Sequence, residues 1–115
     1  MIAHVILFSP KPELNADARR DLLDALVAAS STIPSIRRFR VGRRVKHGRP
    51  GYEQMMRDDY EFAATIEFDD LTGLTTYLAH PSHEALGRHF IASAARSLAY
   101  DYAMVEPADA GSLVD

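Results

Sequence analysis

Apolar and polar positions alternate along this chain in two rhythms, and the switches between them predict the elements. Ile2 to Phe8 is an unbroken apolar run closed by Ser9-Pro10-Lys11-Pro12, which predicts a short strand buried on both faces. Ile2, His4, Ile6 and Phe8 share one face of it and Ala3, Val5 and Leu7 the other, and His4 is its one polar side chain. The period then lengthens. Asn15 is placed to cap a helix running to about Ile33, with Leu22, Leu26, Ala29 and Ile33 on one stripe, Leu23 and Val27 widening it, and Pro34 ending it. Ile36 to Val45 returns to a two-residue rhythm and predicts a strand with polar exposure. Lys46 to Asp59 predicts a loop with a helical turn at Glu53 to Met56.

Tyr60 to Phe68 is the clearest strand, with Tyr60, Phe62, Ala64, Ile66 and Phe68 on one side. Asp69-Asp70 opens a short helix through Leu71, Leu74 and Leu78, and His80-Pro81 breaks it. Ser82 is expected to cap a further helix from His83 to about Leu98, and Ala99 to Glu106 forms the last strand. The order β-α-β-β-α-β with right-handed crossovers predicts an α+β, ferredoxin-like antiparallel sheet with its helices on one face. The opposite face needs a cover. With Ile2, Ile6 and Phe8 assigned to that face, a second copy of the chain is the economical one, making a homodimer. The domain is expected over residues 1–106, with 107–115 a C-terminal tail.

Composition narrows the chemistry. The 115 residues allow one domain, and the absence of cysteine excludes disulfides and thiolate chemistry. The N-terminus lacks the basic region and cleavage site of a signal peptide, and its apolar run is too short to span a membrane. A cytoplasmic protein with no membrane partner is expected. A net charge of −3, with no aromatics interleaved among the cations at nucleic-acid spacing, gives no reason to expect nucleic acid. The arginine-dense stretch from Arg37 to Arg49 is read first as protection of a sheet edge, and second as a receptor for CoA phosphates or another anion. The histidines do not fall at zinc-site spacing, so no metal is expected.

Five segments then occur in order: His4-Val5-Ile6-Leu7-Phe8, Ile33-Pro34-Ser35-Ile36 with Val41-Gly42, Glu67-Phe68-Asp69-Asp70, Tyr77-Leu78-Ala79-His80-Pro81-Ser82-His83, and Asp101-Tyr102. Together, from Ile2 to about Glu106, they resemble the stress-responsive A/B-barrel (Dabb) family. The resemblance implies a dimeric α/β barrel with a small-molecule ligand in the barrel cavity. In the plant polyketide cyclases of that family, which perform an intramolecular aldol closure without metal or cofactor, an acid–base pair falls on His4 and His83 here. A cavity tyrosine falls on Tyr77, and a carboxylate supporting the strand histidine falls on Asp101. The loop from His47 to Asp59 is longer and more charged than in those enzymes, and the apolar lining differs, so the polyketide itself does not carry over.

The residues sustain two readings. A buried histidine needs a partner for each ring nitrogen, and Asp101 on a neighbouring strand is able to accept from His4, fixing its tautomer for base chemistry or merely satisfying a core pair. His83 at a helix start is disfavoured as an imidazolium and suits proton transfer near neutrality, or else it serves only a backbone carbonyl. Tyr77 is a hydrogen-bond donor or a packing residue, and His80 is expected to bond backbone at the helix break. The expected function is a cofactor-independent acid–base enzyme on a small carbonyl compound, an aldol-type cyclase or related lyase or isomerase. The alternative is a non-catalytic ligand-binding dimer.

Overall fold

A computed structural model describes all residues 1–115. Strand β1 (Ile2–Pro10) lies at the centre of a four-stranded antiparallel sheet. Helix α1 (Ala16–Thr32) leads to β2 (Arg38–Arg43), a 3₁₀ turn at Glu53–Met55 and β3 (Phe62–Phe68). Helices α2 (Leu71–Ala79) and α3 (Pro81–Ser93) then lead to β4 (Ala94–Ala103) and an exposed 3₁₀ segment, Pro107–Val114. The strand order is β2-β3-β1-β4, the ferredoxin-like arrangement expected from the element order. No helix is long and apolar enough to cross a membrane.

Register decides which residues share a face. His4 stands opposite Ile66 on β3 and Asp101 on β4, and Ile6 opposite Ala64 and Ala99. With Phe8 and Phe68 these side chains form the face that the helices cover. Leu22, Leu26 and Ala29 of α1, with Leu74, Tyr77 and Leu86 of the later helices, complete a single buried cluster. Val27 stays exposed, because 3.6 residues per turn carry it roughly 140° around the helix from Leu22.

The uncovered face is therefore the opposite of the one expected. Ile6 and Phe8 are buried beneath the chain's own helices, and Ala3, Val5 and Leu7 with Leu98, Tyr100 and Tyr102 line the open side. Because β1 is apolar on both faces, its pattern alone does not say which face the helices take.

Several boundaries also differ: β2 covers Arg38–Arg43 and not Ile36 to Val45, β3 begins at Phe62 and not Tyr60, and β4 ends at Ala103 and not Glu106. Helix α3 ends at Ser93 and not near Leu98, and the last strand begins at Ala94 and not Ala99. The pairing extends from Ile2↔Ala103 to Pro10↔Ala94, so the length of β1 draws a helix-compatible run, Ala94 to Leu98, into the sheet against its propensity. The cap of α3 is His80 and not Ser82: Pro81 occupies the first turn, and the Ser82 amide donates to His80 Nδ1 at 3.0 Å. Asn15 caps α1 as its sequence position predicts, and Asp70, the second of the pair expected to open the short helix, caps α2. Gly73, in the first turn of α2, lies where a Cβ would come within 3.2 Å of the Phe68 side chain, so this turn rests directly on β3.

Candidate functional site

The four candidate residues reach one cleft by three different routes. His4 projects from the helix-covered face of β1, and the antiparallel register places Asp101 of β4 directly beside it. Tyr77 sits near the C-terminal end of α2, and His83 in the first turn of α3. His80 and Pro81 turn the chain sharply between those helices, and a hydrogen bond of 2.8 Å from Thr32 Oγ1 to Ser82 Oγ ties the turn to the end of α1. The cleft holds about 380 Å³ between helices and sheet. All four side chains line it, with Ile6, Leu86, Phe90 and Ala99 as its apolar wall.

The cleft is formed within a single chain. It lies on the helix side of the sheet, because strand alternation turns His4 and Asp101 away from the open face.

His4 Nδ1 and Asp101 Oδ1 are 2.5 Å apart, with the histidine side chain 6% exposed and the carboxylate 39%. A carboxylate on Nδ1 fixes the proton there in the neutral ring and leaves Nε2 as the unprotonated, basic nitrogen. The Tyr77 ring packs between the two histidines, its centroid 5.4 Å from that of His4 and 4.7 Å from that of His83. Tyr77 is fully buried, and its hydroxyl has no hydrogen-bond partner. Burial first, and the charge of Asp101 second, push its pKa up to about 12, so near neutrality it is a proton-bearing donor without an acceptor.

His83 is held below its ordinary pKa, chiefly by burial and next by the nearby His4, against the opposing pull of the Leu78 carbonyl and Glu84. With its N–H given to the Leu78 carbonyl, the neutral ring of His83 keeps one acceptor nitrogen, across the cleft from the oriented His4. The histidine, aspartate and glutamate side chains nowhere gather in a group of three or more that could hold a metal ion.

His80 does the structural work expected of it, as the cap of α3. Ser97 and Gly87 also line the cleft and were not singled out from the sequence. Ser97 shares the face of Ala99 and Asp101 by strand alternation, a signal that becomes visible only once β4 is known to begin at Ala94.

The arginine-rich strand β2 is an edge strand, as the first reading of its charge expected. Within the strand Arg38 and Arg40 form no ion pair and Arg43 reaches Glu61 only at 3.8 Å, whereas the flanking cations are matched: Arg37 with Asp69 at 2.6 Å, Arg44 with Asp59 at 2.5 Å, and Lys46 with Asp59 at 2.9 Å.

The sequence profile described as Stress responsive A/B Barrel Domain (Dabb) matches residues 2–104. No curated protein matches the sequence. Among solved structures the chain is similar to a Dabb family protein with a ferredoxin-like fold from Mesorhizobium loti, with 24% identity over 91% of this chain and 97% of that one and a TM-score of 0.73. It is also similar to a dimeric ferredoxin-like protein of unknown function from Thermobifida fusca, at 22% identity, 90% of each chain and a TM-score of 0.70. A hydroxynitrile lyase from Passiflora edulis shares the fold at 13% identity, over 91% of this chain and 94% of that one, with a TM-score of 0.78.

Proposed function

The chain belongs to the stress-responsive A/B-barrel (Dabb) family, and from that starting point we propose that it is a cofactor-independent acid–base enzyme acting on a small carbonyl compound. The observation that carries the reading is the orphaned Tyr77 hydroxyl, buried beside the His4–Asp101 pair in a cleft with one apolar wall. A buried hydroxyl without a partner costs free energy, about 1–3 kcal/mol, and a ligand oxygen placed in the cleft would relieve that cost.

The proposed step follows from these groups. His4 Nε2 removes a proton from the carbon beside the carbonyl, and Asp101 stabilises the imidazolium that forms. The electron pair of the broken C–H bond moves into the enolate, whose charge develops on the carbonyl oxygen; the Tyr77 hydroxyl donates to it, while neutral His83, its N–H given to the Leu78 carbonyl, offers its free nitrogen to the cleft. The resulting enolate carbon attacks a second carbonyl carbon in an aldol-type closure, and the alkoxide formed takes back the proton from the His4 imidazolium; run in reverse, the same groups cleave a carbon–carbon bond. A fold neighbour named as a hydroxynitrile lyase is compatible with such lyase or cyclase chemistry.

The active form in this proposal is a homodimer. Tyr100 and Tyr102 are 56% and 51% exposed on the open sheet face beside Leu98, an apolar patch that a second copy would bury.

The test is proton exchange. Small aldehydes and ketones with apolar chains, incubated with the protein in D2O, are expected to gain deuterium beside the carbonyl, read by NMR, and His4→Ala is expected to abolish the gain with the dimer intact. Saturable binding without exchange, surviving His83→Ala, would replace the enzyme by a ligand-binding dimer.

A further inference from the structure

The His4 cleft offers a ligand an unequal set of hydrogen-bonding atoms, and the inequality selects what enters. His4 commits Nδ1 to Asp101, so Nε2, a lone pair, is what it presents. The second carboxylate oxygen of Asp101 is another acceptor beside it. His83, its N–H given to the Leu78 carbonyl, adds one acceptor nitrogen. Against these three acceptors stands one fixed donor, the buried Tyr77 hydroxyl without a partner. The Ser97 hydroxyl rotates to donate or accept, but it lies four residues along β4 from Asp101, about 13 Å away, and serves another part of a ligand.

Charge points the same way. Asp101 is the one acid of the lining, and no lysine or arginine lines the cleft. A carboxylate or phosphate placed there would meet lone pairs and a like charge, with no cation to compensate its lost hydration. A simple ketone would answer Tyr77 and leave the His83 nitrogen without a donor. Space is not limiting. Gly87 lies within α3 at the cleft wall, and a Cβ there would meet nothing within 4 Å. A glycine weakens a helix interior relative to alanine, and here it keeps the cleft open.

We infer that the cleft takes a neutral hydroxy-carbonyl compound, its carbonyl oxygen accepting from Tyr77 and its hydroxyl donating to the free nitrogen of His83. This names the substrate class of the reaction proposed above and rests on that reading for the place of the carbonyl. A β-hydroxy carbonyl is also what an aldol closure forms. Once the alkoxide has taken its proton, the new hydroxyl donates to His83, whereas the carbonyl it replaces would face that nitrogen lone pair to lone pair. The hydroxy compound is therefore the partner the cleft holds more tightly.

The test is equilibrium binding to the full-length protein in its native assembly, followed by NMR. The probes are the β-hydroxy ketone made from acetone and hexanal, its methyl ether, which lacks only the donor proton, and nonanoate. The hydroxy ketone is expected to bind about three- to tenfold more tightly than the ether, the worth of one hydrogen bond, and nonanoate more weakly than either. In His83→Phe the hydroxy ketone is expected to fall to the affinity of the ether. Gly87→Leu, which fills the cleft, is expected to weaken both together. Equal affinities in the parent protein would overturn the inference whether or not the variants fold. So would a preference that survives His83→Phe, tightest binding of nonanoate, or no effect of Gly87→Leu. If the hydroxyl preference holds while proton exchange fails, the enzyme reading is lost and the ligand class stands; the opposite pair of results keeps the enzyme and discards the hydroxyl.

Discussion

Replacing Tyr77 by Phe sets stability against function at one atom. The ring is fully buried and packs against Phe68 at 5.3 Å between centroids, and these contacts survive the substitution. Only the hydroxyl is lost, and it has no partner in the folded protein. An unsatisfied buried polar group costs about 1–3 kcal/mol, so the gain on its removal is at least about 1 kcal/mol. With a urea slope of about 1–2 kcal/mol/M, the unfolding midpoint of Tyr77→Phe should rise by about 0.5–1 M with no change of slope. Protomer concentration must be held equal, because the proposed dimerisation would add to apparent stability. Loss of one donor to a developing oxyanion should lower turnover of a carbonyl substrate by about 10²-fold. A variant that unfolds at lower urea than the parent would refute the reasoning. The hydroxyl would then be paired in the folded state and not reserved for a ligand.

The site's pH dependence has a defined sign. His83 has a folded pKa below its ordinary 6.5, so the folded state binds its proton less readily than the unfolded chain, and stability is complete above that value and falls as pH drops towards the folded pKa. His83→Gln should show a smaller loss of urea midpoint between pH 7.5 and 5 than the parent, and parallel curves would remove His83 as the source. Tyr100→Glu places a charge on the open sheet face, and size-exclusion chromatography at micromolar concentration should show monomer; an undisturbed dimer would put the interface elsewhere. Leu26→Ala empties a fully buried position under α1 and should cost about 3 kcal/mol in urea unfolding, whereas a cost below about 1 kcal/mol would mean the core closes around the gap.

The chain's local signals carried far. Element types and order, the caps Asn15 and Asp70, and the helix break at His80-Pro81 all follow from spacing, breaker residues and short-range hydrogen bonds, which depend only on near neighbours in sequence. The recognisable segments from His4 to Asp101 singled out four side chains before any geometry was available, and the fold brings all four to one cleft.

What only the tertiary structure decided involves partners distant in sequence. Ala94 to Leu98 is as compatible with helix as with strand until the whole of β1 pairs with it, and that pairing sets the register that puts Asp101 beside His4. Strand β1 is apolar on both faces, so its pattern is symmetric with respect to the helices. Their packing alone placed Ile6 and Phe8 in the core and left Leu7 and Tyr100 towards the open side. The side of the sheet that holds the His4 cleft follows from the same choice. So does the Tyr77 hydroxyl's lack of a partner, since both depend on how α2 and α3 settle over a sheet whose strands come from both ends of the chain.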